Sequence, residues 1–128
     1  MDGSIVIRRR PWVFVFAALV AASAALLLHY RLRLGFVFDD WSFIIGRETG
    51  GVGDYLNPHN EHISVIPVAM FKLSLAVFGM GTAVPLQIFS LSVFLVSVVA
   101  LFLYLRPLIG DPLSVAGCAV ILFFGISY

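Results

Sequence analysis

Two long apolar runs constrain the fold of this chain more than any other feature. The first covers Trp12 to Tyr30, and the second, Val84 to Leu105, is interrupted by one glutamine and three serines. As α-helices with a rise of about 1.5 Å per residue they would be about 28 Å and about 33 Å long, close to the roughly 30 Å hydrocarbon core of a bilayer. The sequence therefore predicts membrane-spanning helices over both runs.

The composition indicates the same class. Hydrophobic residues make up 61% of the chain and charged residues 12%, against about half and about a quarter in soluble domains. We therefore expect an all-α membrane protein. The net charge of +1, with basic residues scattered over three regions, provides no surface for nucleic acid. Cys118 lies in an apolar run and is expected to act as a small hydrophobic side chain.

The predicted topology has about three transmembrane helices plus an interfacial juxtamembrane helix in the first external loop. The third apolar run, Leu113 to Tyr128, covers about 24 Å. Because this is short for a bilayer, we expect either a helix tilted into protein or, as we favour, the front end of a longer multi-span protein. For the first run, a cleaved signal peptide is the alternative, but Leu26 to Leu28 extend it past the small residues and favour an uncleaved span.

Arginine residues near the span ends set the predicted orientation. Four arginines, at 8, 9, 10 and 106, lie on one side and three, at 31, 33 and 47, on the other, so the N-terminus is expected to be cytoplasmic. The predicted segments are a cytoplasmic N-terminus (1–10), transmembrane helix 1 (11–30), an external acidic loop (31–62), the juxtamembrane helix (63–79), transmembrane helix 2 (83–105), a cytoplasmic turn (106–112) and transmembrane helix 3 (113–128).

The juxtamembrane segment is apolar but carries Pro67 and, in its middle, Lys72. A lysine at the centre of a span costs about 2.5–3.5 kcal/mol on insertion scales. We therefore favour an interfacial or re-entrant helix, in which the lysine can reach the headgroups. The side chains expected to rest on acyl chains are Val68, Met70, Phe71, Leu75 and Phe78. The alternative is a short span, which would give four crossings and reverse the side of everything after it.

The external loop concentrates the polar chemistry. Five of the seven acidic residues and two of the three histidines lie between Asp39 and His62. Asp39 and Asp40 are surrounded by aromatic residues that favour the membrane interface, where a carboxylate can act as a general base. Adjacent residues point in different directions, so we expect one of the two to face a cleft. The alternative for Asp40 is the N-cap of a short helix over 41–47.

A second polar cluster, Asn57 to His62, follows in the same loop. Glu61 with His59 or His62 and a distant aspartate would suit a divalent metal ion, since carboxylate and imidazole ligands bind zinc or manganese. The expected set is Asp39, Glu61 and His62. The alternative is that Asn60 caps the next helix, with Glu61 in its first turn and the histidines exposed. Two basic side chains, Arg47 and Lys72, are candidates to bind a phosphate, or equally to anchor the interface.

Together these motifs resemble a known family. An arginine-rich start, one span, Phe38-Asp39-Asp40-Trp41 early in the first outer loop, and Asn60-Glu61-His62-Ile63 before a juxtamembrane helix are similar to the N-terminal part of GT-C class membrane glycosyltransferases. The nearest are bacterial members related to protein O-mannosyltransferases and lipid A aminoarabinose transferases. The resemblance covers about Arg8 to Leu105. Members have many more spans and often a soluble C-terminal domain.

The resemblance implies a function for the loop. Asp39 or Asp40 matches the catalytic acidic motif and Glu61 the second acid, with a polyprenyl-phosphate sugar as donor, membrane lipids around the chain and the bacterial inner membrane as location. The rival class is a non-catalytic membrane subunit or a transporter fragment. Transporters place ionisable groups within their spans near the midplane, and the predicted spans here are almost free of them.

Overall fold

The computed structural model describes residues 11–36, 38–46, 51–59 and 62–125, and for residues 38, 39, 59 and 63 the backbone alone. Helices dominate the described residues, which confirms the all-α expectation at the level of class. The elements are α1 (Pro11–Arg31), α2 (Phe38–Ile45), α3 (Val52–Leu56), β1 (Pro58–His59), β2 (His62–Ile63), α4 (Val65–Phe78), a 3₁₀ turn (Gly79–Gly81), α5 (Val84–Ile109) and α6 (Asp111–Phe124). The two short strands pair antiparallel, with His59 opposite His62.

Among the described helices, α1 and α5 are long and apolar enough to cross a membrane. They coincide with the two predicted spans. Within their apolar windows, 11% of α1 and 17% of α5 is buried in the protein. A core helix of a soluble protein would be mostly covered, because its apolar side chains leave water by packing on other elements. Helices α4 and α6 have 14 residues each. The third span, over α6, and the interfacial position of α4 stay predictions.

The chain divides into two compact units, one formed by residues 1–27 and 92–128. In its described part, α1, the later turns of α5, and α6 share a core. The ring of Phe16 stacks on that of Phe102 with centroids 4.0 Å apart. The Ser23 hydroxyl, fully buried, donates to the Leu122 carbonyl oxygen at 2.9 Å. The other buried core residues are Val98, Val115 and Cys118.

The connection between α5 and α6 is tighter than the turn expected over 106–112. Helix α5 continues to Ile109 and α6 begins at Asp111, so Gly110 is the one residue between them. Its backbone angles, φ 83° and ψ 161°, belong to a region that glycine alone adopts readily. Arg106 closes the turn with two bonds to the Asp111 carboxylate, at 2.6 and 3.2 Å. Helix therefore extends to both sides of Gly110 where a seven-residue turn was predicted, and the ion pair between Arg106 and Asp111 joins the two helix ends.

The second unit, residues 28–91, contains the loop and α4. Helices α2 and α3 both pack on α4. Val68 and Phe71, at 1% and 9% exposure, face this packing, so the prediction that they rest on acyl chains is wrong. The loop folds back and covers that face, whereas Ile66, Leu73 and Val77 remain exposed.

Candidate functional site

Helix α2 carries the two adjacent aspartates of the acidic motif. It begins at Phe38, so Asp40 lies inside the first turn. The alternative in which Asp40 caps a helix over 41–47 is therefore wrong. Asp40 is half-buried, and successive residues on a helix point about 100° apart. The backbone thus gives the two aspartates different directions, as expected, and does not identify the one that faces a cleft.

Aromatic contacts hold α2 in place. The Trp41 ring meets the Phe36 ring edge-on, with centroids 5.8 Å apart. The Phe43 ring packs on Phe71 of α4 at 5.1 Å. Such ring pairs contribute about 0.5–1.5 kcal/mol each beyond their buried area. The contact between Phe43 and Phe71 docks α2 on α4. That aromatic side chains hold the two carboxylates at the membrane interface stays a prediction.

The segment between α1 and α2 is tied to the start of α5. The Gln87 amide nitrogen donates to the carbonyl oxygens of Leu34 and Gly35, at 2.8 and 3.3 Å. One turn further along α5, Ser90 accepts a bond from the Arg31 guanidinium at 3.1 Å. These bonds set where the chain leaves α1. They fix the position of residues 31–35, which precede α2 and its aspartates in the chain.

A partly buried ion pair joins α3 to α4. Lys72 Nζ lies 2.6 Å from Asp54 Oδ2, and the two side chains are 24% and 7% exposed. The same ammonium lies 5.3 Å from the centre of the Tyr55 ring, within the range of a cation–π contact. Asp54 is not among the site residues predicted from the sequence. The signal for it was Lys72 itself, since a charge inside an apolar helix needs a counter-ion.

The remaining predicted site residues are only partly described. Arg47 and Glu61 lie outside the described residues, and the approach of Asp39 or Asp40 to Glu61 stays a prediction. The N-cap position of α4 is Ser64, so the alternative in which this helix begins after residue 60 is wrong. His62 is exposed in β2. Within the described ranges, no three histidine, cysteine or acidic side chains come together to hold a metal ion, and the proposed metal ligands Asp39, Glu61 and His62 stay untested.

Comparisons with known proteins identify no relative. No family model matches the chain, and neither a curated protein nor a solved structure gives a match. The function of the chain is therefore inferred from its residues and their geometry.

Proposed function

We propose that this chain is the N-terminal part of a polytopic membrane glycosyltransferase of the GT-C class, which transfers a sugar from a polyprenyl-phosphate donor to an external acceptor. The observation that carries the proposal is the placement of the Asp39-Asp40 pair. It lies on a short helix that follows a candidate membrane span and docks on apolar α4 through Phe43 and Phe71. That placement suits a donor whose tail lies in the bilayer and whose phosphate lies at its surface.

The chemistry assigned to the loop is a displacement at the anomeric carbon. The acceptor hydroxyl oxygen forms the new bond to that carbon, and the bond from the carbon to the donor phosphate oxygen breaks, leaving its electron pair on the phosphate. Asp39 or Asp40 takes the proton of the acceptor hydroxyl as general base. Glu61 orients the acceptor. No step is assigned to a divalent ion.

The departing phosphate gains negative charge, which a basic side chain stabilises. Arg47 and Lys72 are the candidates. Asp54 already matches the charge of Lys72 at 2.6 Å, so Arg47 is the stronger of the two. Its planar guanidinium also suits two-point contact with a phosphate.

The test is to replace each aspartate separately, as Asp39→Asn and Asp40→Asn, in the complete polypeptide reconstituted in vesicles. Transfer of radiolabelled sugar from a polyprenyl-phosphate donor is the measurement. Loss of a general base lowers the rate by about 10²- to 10⁴-fold, and we expect this in at least one variant. The control is Asp111→Asn, whose carboxylate pairs with Arg106 in the other unit. Full transfer by both aspartate variants would exclude the catalytic role.

A further inference from the structure

Helix α4 reverses the polarity of an ordinary surface helix. Its exposed face is apolar, with Ile66 72%, Leu73 58% and Val77 63% exposed. Its one charged residue, Lys72, lies on the opposite face with Val68 and Phe71, as the three- and four-residue spacing requires. A helix at a water-exposed surface would place the lysine outward and the aliphatic residues inward.

On the covered face of α4, the charge of Lys72 is paired with a carboxylate of the same protein. Asp54 is 5% exposed and contacts Lys72 at 2.6 Å, and Tyr55 of the same short helix lies beside the ammonium. An unpaired ammonium in apolar surroundings is strongly unfavourable, whereas a close pair with opposite charge is tolerated. The loop thus supplies the counter-ion that α4 needs in order to leave water.

We propose that α4 is a re-entrant helix whose face of Ile66, Leu73 and Val77 contacts lipid acyl chains below the headgroups, and that Asp54 is the positioning residue that holds it there. The inference rests on the membrane location in the proposed function, but not on glycosyl transfer. With 14 residues, α4 is about 21 Å long, less than the roughly 30 Å needed to cross. An interfacial helix would require Lys72 at the headgroups, and the pair with Asp54 directs it to the loop.

Depth can be measured with a nitroxide spin label at Leu73→Cys, in a Cys118→Ala background, with the full chain in phosphatidylcholine and phosphatidylglycerol vesicles. Oxygen concentrates in hydrocarbon and a polar nickel complex in water. We expect the Leu73 label to be reached by oxygen and protected from nickel. References are Val96→Cys on α5, where the side chain is 67% exposed, and Gly53→Cys, where a side chain meets no neighbour within 4 Å.

Each of the other possible patterns of oxygen and nickel access would contradict the proposal for a different reason. Nickel access at Leu73 with a protected Val96 label would place α4 at the water interface. Protection of Leu73 from both reagents would mean that protein, rather than lipid, covers the face. Nickel access at Val96 as well would refute the membrane location on which the proposed function depends.

The role of Asp54 is tested in the same labelled chain. In Asp54→Asn the ammonium loses the negative charge 2.6 Å away and should draw α4 towards the headgroups, so the ratio of oxygen to nickel access at Leu73 falls. Adding Lys72→Met removes the charge, and the ratio should return to that of the parent. Asp111→Asn serves as the control for loss of a paired carboxylate elsewhere. An unchanged ratio in a folded Asp54→Asn chain, or no recovery in the double variant, would exclude the positioning role.

Discussion

At the scale of single residues, Asp54 is the clearest case in which one polar side chain contributes to the free energy of unfolding. Removing one partner of a fully buried ion pair costs about 3–5 kcal/mol, because the other charge is left unpaired. Since 24% of the Lys72 side chain is exposed, we expect about 2–3 kcal/mol for Asp54→Asn. Asp54→Asn with Lys72→Met should recover most of the loss. Thermal unfolding in detergent, followed by circular dichroism, measures both.

The Arg106–Asp111 pair offers a comparison at the same scale. The side chains of Arg106 and Asp111 are 19% and 24% exposed. The carboxylate of Asp111 is thus more exposed to solvent than that of Asp54, at 7%, and its interaction is screened more strongly. Asp111→Asn should therefore be less destabilising than Asp54→Asn. Equal losses would mean that burial does not decide the strength of these pairs.

The backbone conformation of Gly110 predicts that a side chain at this position is destabilising. At φ 83° and ψ 161° a side chain is strained, and Gly110→Ala should lower the free energy of unfolding by about 1–3 kcal/mol. Gly117 is the matched control. It lies within α6, and a β-carbon there meets nothing within 4 Å, so Gly117→Ala should be neutral or slightly stabilising because alanine favours helix. Chemical unfolding of both variants separates backbone strain from a general effect of the added methyl group.

Among the elements, α1 and α6 are joined by the bond from Ser23 to the Leu122 carbonyl oxygen. Interhelical bonds of this kind in membranes are worth about 0.6 kcal/mol on average and up to about 1.7, and we expect Ser23→Ala to lose an amount in that range. Ser97→Ala is the control, because its hydroxyl is exposed and bonds within its own helix to Val93. Unfolding in increasing sodium dodecyl sulfate would show the difference, and equal losses would assign no role to the contact between helices.

For the whole molecule, the decisive measurement is the side of the membrane on which each connection lies. If α4 does not cross, Gly53→Cys and Leu108→Cys, each in the Cys118→Ala background, should be labelled by an impermeant maleimide from opposite sides. Leu108 is 63% exposed at the end of α5, which makes it accessible to the reagent. Labelling of both from the same side would show that α4 is a span and that the chain crosses four times.

Local sequence was sufficient for the two long helices, α1 and α5, but not for which face of α4 is covered. The runs that became α1 and α5 could be predicted because length and continuous apolarity are properties of a segment by itself. The aromatic residues that flank the aspartates in sequence could be recognised for the same reason, since Phe36 and Trp41 are near them in the chain. The alternative that begins α2 after Asp40 is wrong, because Asp40 has the pattern of a helix cap but lies inside a helix that begins at Phe38.

The sequence by itself therefore determined the helical class, the two long apolar helices and the acidic loop between them. The tertiary structure alone decided which face of α4 is covered. Asp54 and Lys72 are 18 residues apart, and no local pattern reports that they meet. Once they do, the charge of the helix lies on its inner side, because an ion pair formed within the protein is more favourable than a lone ammonium in apolar surroundings. The apolar side chains of α4 are left facing outward.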